Sequence, residues 1–365
     1  MYIYLENDLA NLDFRLEENE ELLDFFCDLI YKSFKGKFIL DGKKALRNIA
    51  KYAGEERIIK KINFIIQRNM EYRGVFNSLN FKINISKSYT NVERNNFSIN
   101  IPLDIFFTYD FGYVDFIAED FNDSDYIDQA IRSFQVLKDE LGIFNVKYNK
   151  INGGGANTPN VYEHHLNSKL NYVICLCDSD KYSPKGPFGI NARECLKKLK
   201  TDTIGRLFIT HGREIENDIP YPLLFQTFSN DPSTLRKISE LPCYKEYICE
   251  QILKYADLKK GVLLSWVDKI PASSENEKYW SNQSRFIMDN FWHKIIDDKV
   301  VLVPGVSEKL LKNVSQFLKK KSDQELKEFL ISHNASSNDE FYQFISLGED
   351  FFWILFSFCD KKFVA

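Results

Sequence analysis

From about residue 110 to 225 the chain alternates four short apolar runs, which end in acidic or glycine-bearing turns, with stretches of helical spacing. Tyr113–Ala118 ends at Glu119-Asp120 and precedes Asp125–Leu141, where Ile127, Ile131, Phe134 and Leu137 share one face. Val146–Ile151 runs into Gly153-Gly154-Gly155 and a short helix predicted at Val161–Leu170. Tyr172–Cys177 runs into Asp178-Ser179-Asp180, with a helix predicted at Ala192–Leu199 beyond a Pro/Gly loop. Leu207–Thr210 leads to His211-Gly-Arg213-Glu214-Ile-Glu216-Asn217. Strand, helix, strand, helix in this order predicts an α/β fold with a parallel sheet and helices on its faces.

The flanks have other rhythms, and a length of 365 residues leaves room for two or three domains. Residues 1–108 are expected to form an N-terminal α+β domain, 109–225 the parallel-sheet domain, and 226–365 a mostly helical C-terminal region. In the first part, nine acidic residues between 1 and 35 back an amphipathic helix carrying Leu22, Leu23, Phe26, Leu29 and Ile30. Residues 41–73 reverse the balance, with nine basic and four acidic residues, and predict one or two helices with a basic outer face suited to a phosphate backbone. Strands are predicted at Phe81–Ser86 and Phe97–Phe107, with a turn at Asn91–Asn96. After Pro222, helices are predicted at Asp231–Leu258 and Ser307–His333, with Phe351–Cys359 as a buried closing segment. Trp266, Trp280 and Trp292 read as packing residues.

Composition narrows the function classes. With 48 Lys+Arg against 52 Asp+Glu and 44% hydrophobic residues, the chain is neither a disordered polyelectrolyte nor a uniformly basic nucleic-acid binder. The opening Met1-Tyr-Ile-Tyr-Leu-Glu6 lacks a basic segment, so no secretory signal is expected, and no apolar run reaches the roughly 20 residues of a membrane helix. A cytoplasmic protein without a membrane partner is the expectation. The seven cysteines, with Cys175 and Cys177 the one close pair, make no disulfide framework and no zinc pattern; buried thiols are expected.

The chemistry lies at the strand ends. In an open parallel sheet, ligands collect at the carboxyl edge. Here that edge receives Glu119-Asp120, the glycine triplet, Asp178-x-Asp180 and Glu214-x-Glu216 from successive strands. Crowded carboxylates raise one another's pKa unless a cation joins them, and oxygen-only donors favour Mg2+ or Mn2+. Such an ion orients water and neutralises phosphate charge, which points to phosphoryl chemistry. Glycines Gly153, Gly154 and Gly155 are expected to let backbone approach a phosphate. Lys181, Lys185 and Arg213 beside the acids are candidate contacts to the scissile phosphate.

Ile-Ala-Glu119-Asp120, Gly153-Gly154-Gly155, Cys-Asp178-Ser-Asp180 and Gly-Arg213-Glu214-Ile-Glu216-Asn217 together resemble a TOPRIM domain. The last of these is most similar to the OLD nucleases and the stand-alone PARIS-type effector nucleases of anti-phage systems. The resemblance spans about 110 residues. It implies a TOPRIM-like catalytic domain at 109–225 in a metal-dependent endonuclease cutting DNA or RNA, tRNA included. Glu119 would be base or metal ligand, Asp178 and Asp180 would hold the metal, and Glu214 or Glu216 would complete the set. Asp120 stands where glycine is frequent, which weakens a topoisomerase or primase reading. No Gly-x-x-x-x-Gly-Lys-[Ser/Thr] loop is present, so ATP-driven control would come from a partner ATPase or sensor, and a homo-oligomer is compatible. Two other readings stand beside it: an Asp-x-Asp phosphatase or nucleotidyl transferase, and a non-catalytic adaptor docking a basic partner through residues 1–35.

Overall fold

The computed structural model describes residues 1–241, 252–270, 274–290, 294–296, 299–335 and 339–358. Two parallel sheets organise the chain. The first has the order β2-β1-β3-β5-β4, with β1 Tyr2–Leu5, β2 Ile39–Asp41, β3 Lys82–Ser86, β4 Glu93–Arg94 and β5 Ser98–Pro102. The pairs β1/β2, β1/β3 and β3/β5 are parallel; only the edge strand β4 is antiparallel. Helices Glu20–Phe34, Lys43–Tyr52 and Glu56–Glu71 lie between its strands in sequence, so the first hundred residues are α/β and not the α+β domain expected. The reason is that β1 and β2 are short and sit beside charged helical segments that dominate the pattern. Pro102 closes β5, and Leu103–Phe107 is a helix, so the second predicted strand is half its expected length.

The second sheet has the order β10-β9-β6-β8, all parallel, with β6 Val114–Ala118, β8 Tyr148–Asn152, β9 Val173–Cys177 and β10 Gly205–Ile209. Every residue of β6 and β9 is buried, as expected of central strands covered on both sides. On one face, Phe116, Ala118, Ile174 and Leu176 join the main core with the helix Phe121–Leu137. On the other, Ile117, Val173, Cys175 and Cys177 pack under the helices Thr158–Ser168 and Ile190–Lys198.

The C-terminal region is mostly helical but includes an antiparallel sheet of Gly261–Leu263, Lys299–Pro304 and Lys294–Ile296. The helix predicted over Ser307–His333 is two, Leu310–Lys319 and Asp323–Ser332; Ser322 starts the second with a capping box to Glu325. Of the helix predicted over Asp231–Leu258, Pro232–Ser239 is helical and residues 242–251 lie outside the described residues, as do Trp292, Cys243, Cys249 and Cys359. The helix Asp339–Leu355 packs on Phe121–Leu137. Gly348 allows this approach, because a Cβ there would stand 2.2 Å from the Ala130 carbonyl oxygen. Phe356–Phe358 then pairs with β7 Phe144–Val146, and the Met1 amino group donates to the Phe356 carbonyl. Among the described residues no helix is long and apolar enough to cross a membrane.

Candidate active site

Where neighbouring parallel strands send their following helices to opposite faces of a sheet, the loops part and leave a crevice. β6 and β9 are such a pair, since Phe121–Leu137 follows β6 on one face and Ile190–Lys198 follows β9 on the other. Glu119 leaves β6, Asp178 and Asp180 leave β9, and Glu214 and Glu216 follow β10 on the next loop. The predicted acids are therefore delivered to one edge by three adjacent strands.

Each is held in its own way. Glu119 accepts from the Asp178 N–H and from Asn191 Nδ2, both at 3.3 Å, and the same Asn191 amide donates to the Gly155 carbonyl at 3.1 Å. Asp178 Oδ1 accepts from the Ile215 N–H at 2.9 Å, tying β9 to the loop after β10. Asp180 has a left-handed backbone, φ 49°, and its N–H donates to the Arg213 carbonyl at 2.8 Å. Glu216 is 3% exposed. Its Oε1 is 2.9 Å from Lys259 Nζ, while its Oε2 is buried without a hydrogen-bond partner. Glu214 is 3.2 Å from the same ammonium and 3.6 Å from Arg213 Nε.

Burial dominates the electrostatics. It lifts Asp178 well above the usual carboxylate range, and the charges of Asp123, Glu216, Glu119 and Glu214 add to the lift. Burial, with Asp180 second, pushes Glu119 up to about 7. Burial likewise takes Asp123 to about 7, with Glu216 among the neighbours that add to it. Glu214 and Asp180 are raised by burial against the opposing pull of Lys259 and Arg213. Yet no three acidic side chains among the described residues bring their oxygens within 4.8 Å of one another. The acids share one sheet edge and do not close into a cage.

Other expected residues are placed differently. Gly153 N–H donates to the Ala118 carbonyl at 2.7 Å, Gly154 N–H to Asn152 Oδ1 at 2.7 Å, and Gly155 N–H to the Glu119 carbonyl at 3.2 Å. The triplet thus spends its donors on the turn that abuts Glu119, and a Cβ on Gly153 would lie 2.3 Å from Thr158 Oγ1. Lys181 turns into its own loop, donating to the Pro184 carbonyl at 2.8 Å, and Lys185 is exposed. Arg213 lies over the Tyr182 ring, 4.5 Å from its centroid. Asp120 is the N-cap of Phe121–Leu137, accepting from the Asn122 N–H at 2.7 Å, and Asp123 completes the capping box.

Sequence reasoning missed Asp123, Asn191 and Lys259. The spacing of Asp120 and Asp123 was a capping signal; Lys259 had none, since it comes from the C-terminal region. That region buttresses the edge elsewhere too. Asn217 Nδ2 donates to the Leu253 and Ala256 carbonyls at 2.6 and 2.9 Å, and Trp280 Nε1 to the Tyr182 carbonyl at 2.7 Å. Trp266 stacks on Tyr182 at 5.3 Å, so two of the packing tryptophans hold the loop after Asp180.

The acidic face expected near the N-terminus exists: Glu17, Glu18, Glu20, Glu21, Asp24 and Asp28 are exposed. In the basic stretch, Lys61 and Arg68 are buried, so two of its nine cations turn away from the outer face. No protein-family model, curated protein or solved structure matches the chain.

Proposed function

We propose that the chain is a Mg2+- or Mn2+-dependent nuclease of the TOPRIM type, hydrolysing phosphodiester bonds of DNA or RNA at the β6/β9 crevice and acting in prokaryotic anti-phage defence under a partner ATPase or sensor. The observation that supports it is the excess of buried carboxylate over donors at this edge, seen most plainly in Glu216, whose Oε2 is buried and unpartnered. All-oxygen donors suit a hard divalent cation, and Mg2+ needs one or two carboxylates and keeps several waters, which matches an open row of acids better than a cage. Asp178, Asp180 and Glu216 would hold the ion. Bound there, it would supply charge neutralisation on phosphate and a more acidic water.

The chain's own groups divide the remaining work. Glu119, poised at about 7 and oriented by the Asp178 N–H and Asn191, is suited to accept the proton of an attacking water near neutral pH. Lys259, 30% exposed, faces both the acids and the solvent and is suited to meet a phosphate oxygen. Asp120 and Asp123 fix the helix that follows Glu119, and so its position.

The test uses the purified full chain with Mg2+ or Mn2+ on duplex DNA, single strands and structured RNA. Glu119→Gln and Asp178→Asn are expected to lower divalent-dependent cleavage by about 100-fold or more. Unchanged cleavage in both variants overturns the assignment. Hydrolysis of a small phosphate ester with nucleic acids left intact favours the phosphatase reading.

A further inference from the structure

Three thiols meet on the opposite face of the second sheet from Phe121–Leu137. Cys175 and Cys177 are two residues apart on β9 and so share a face, and Cys195 reaches them from the helix Ile190–Lys198. Cys177 Sγ lies 3.5 Å from Cys175 Sγ and 3.4 Å from Cys195 Sγ, and all three residues are fully buried. Among the described residues, this is the one place where three metal-ligating side chains bring their ligand atoms within 4.8 Å of one another. A second polar group points to the same layer. The Tyr162 hydroxyl is buried there without a hydrogen-bond partner, within electrostatic range of Cys175 and Cys195.

We propose that Cys175, Cys177 and Cys195 form a buried three-thiolate site for a soft monovalent metal ion, Cu(I). Thiolates select soft ions, and structural zinc completes a tetrahedron with a fourth Cys or His. No fourth His, Cys, Asp or Glu joins this group among the described residues, which leaves a three-coordinate site. At a metal–sulfur bond of about 2.3 Å, a planar trigonal site sets its sulfurs about 4 Å apart, so binding requires the three side chains to spread their sulfurs by roughly half an ångström. As each thiol binds, its S–H bond breaks, an S–Cu bond forms and the proton leaves to solvent; copper keeps its oxidation state. The same helix carries Asn191, which bridges Glu119 and Gly155, so the ion would pin the support of the carboxylate edge from beneath.

The test does not use nuclease activity. Reduced full-length protein with Cys27, Cys243, Cys249 and Cys359 all changed to Ser is titrated anaerobically against Cu(I)-bicinchoninate, and the product is examined by X-ray absorption. One Cu(I) per chain, three sulfurs at about 2.3 Å, and an affinity lowered at least 100-fold by Cys177→Ala are expected. The proposal is overturned if this protein withdraws no Cu(I), if Cys177→Ala binds as tightly, or if Zn2+ binds in place of Cu(I). Where Cys177→Ala does not fold, the titration and absorption of the parent decide.

Discussion

The chain contains two parallel sheets, and their carboxyl edges supply acids with donors to different degrees. At the first sheet, Asp8 Oδ2 accepts from Ser86 Oγ, the Lys87 N–H and the Ser88 N–H at 2.6, 2.9 and 3.1 Å. Asp41 accepts from the Tyr2 hydroxyl at 2.5 Å and the Gly42 N–H at 2.7 Å, with Arg73 at 3.3 Å. Asp41 is sealed by local donors, and Asp8 takes three of them on Oδ2 while its Oδ1 stays buried without a partner. At the second sheet, Asp178 draws one backbone donor from Ile215, and Glu214 and Glu216 share Lys259. One architecture thus yields a donor-rich edge and a donor-poor one. The difference lies in how many N–H and O–H groups the loops bring to the carboxylates, since an under-supplied buried acid stays open to a proton or a cation.

Removing the shared cation should widen this contrast most. Lys259→Met leaves Glu216 buried without a counter-charge and Glu214 with Arg213 alone, and the expected loss is about 2–3 kcal/mol, discounted from the cost of breaking a fully buried pair because Lys259 is partly exposed. Urea unfolding measures it, and added Mg2+ should restore part of the loss; a variant as stable as the parent would mean that the pair is idle.

Proton uptake should separate the edges next. Glu119 has a folded pKa of about 7 against an ordinary 4.5, and Asp123 about 7 against 3.8. A raised carboxylate favours the protonated folded state, so its stabilising contribution is present below the ordinary value and lost as pH climbs to 7. Without divalent ions, thermal unfolding should therefore show decreasing stability between about pH 4 and 7 from these groups, and Glu119→Gln should flatten that slope. A slope unchanged in the variant would remove Glu119 from the cause.

The smallest effect belongs to the first edge. Asp8→Asn keeps an acceptor but loses charge-assisted bonds to the Ser86–Ser88 turn, for an expected cost of about 1 kcal/mol and no change in divalent-dependent cleavage. A loss of cleavage there would erase the distinction between the edges.

The second sheet was legible because its strands are continuous apolar runs with turn residues at their ends; β6, β9 and β10 lie within two residues of their expected bounds. The first sheet was less so, because β1 and β2 have four and three residues and leave little periodicity to read. The acids of the crevice could be nominated because each follows a strand directly. Lys259 could not, since nothing near residue 259 marks it as facing β9 and β10. The thiol cluster was half visible: the Cys175-x-Cys177 alternation places two sulfurs on one face, but Cys195 joins them only through the packing of a helix eighteen residues onward.

The antiparallel pair of Phe356–Phe358 with Phe144–Val146 bears on the order of assembly. It closes a loop of more than two hundred residues, and the helix before it braces Phe121–Leu137, whose N-cap follows Glu119. A chain emerging from the ribosome holds every acid of the crevice long before it holds this brace. Contacts of such separation form slowly, after local ones. Synthesis therefore delivers the chemistry first and its support last, and a nascent or truncated chain lacking residues 339–358 carries the carboxylates without the packing that sets their places.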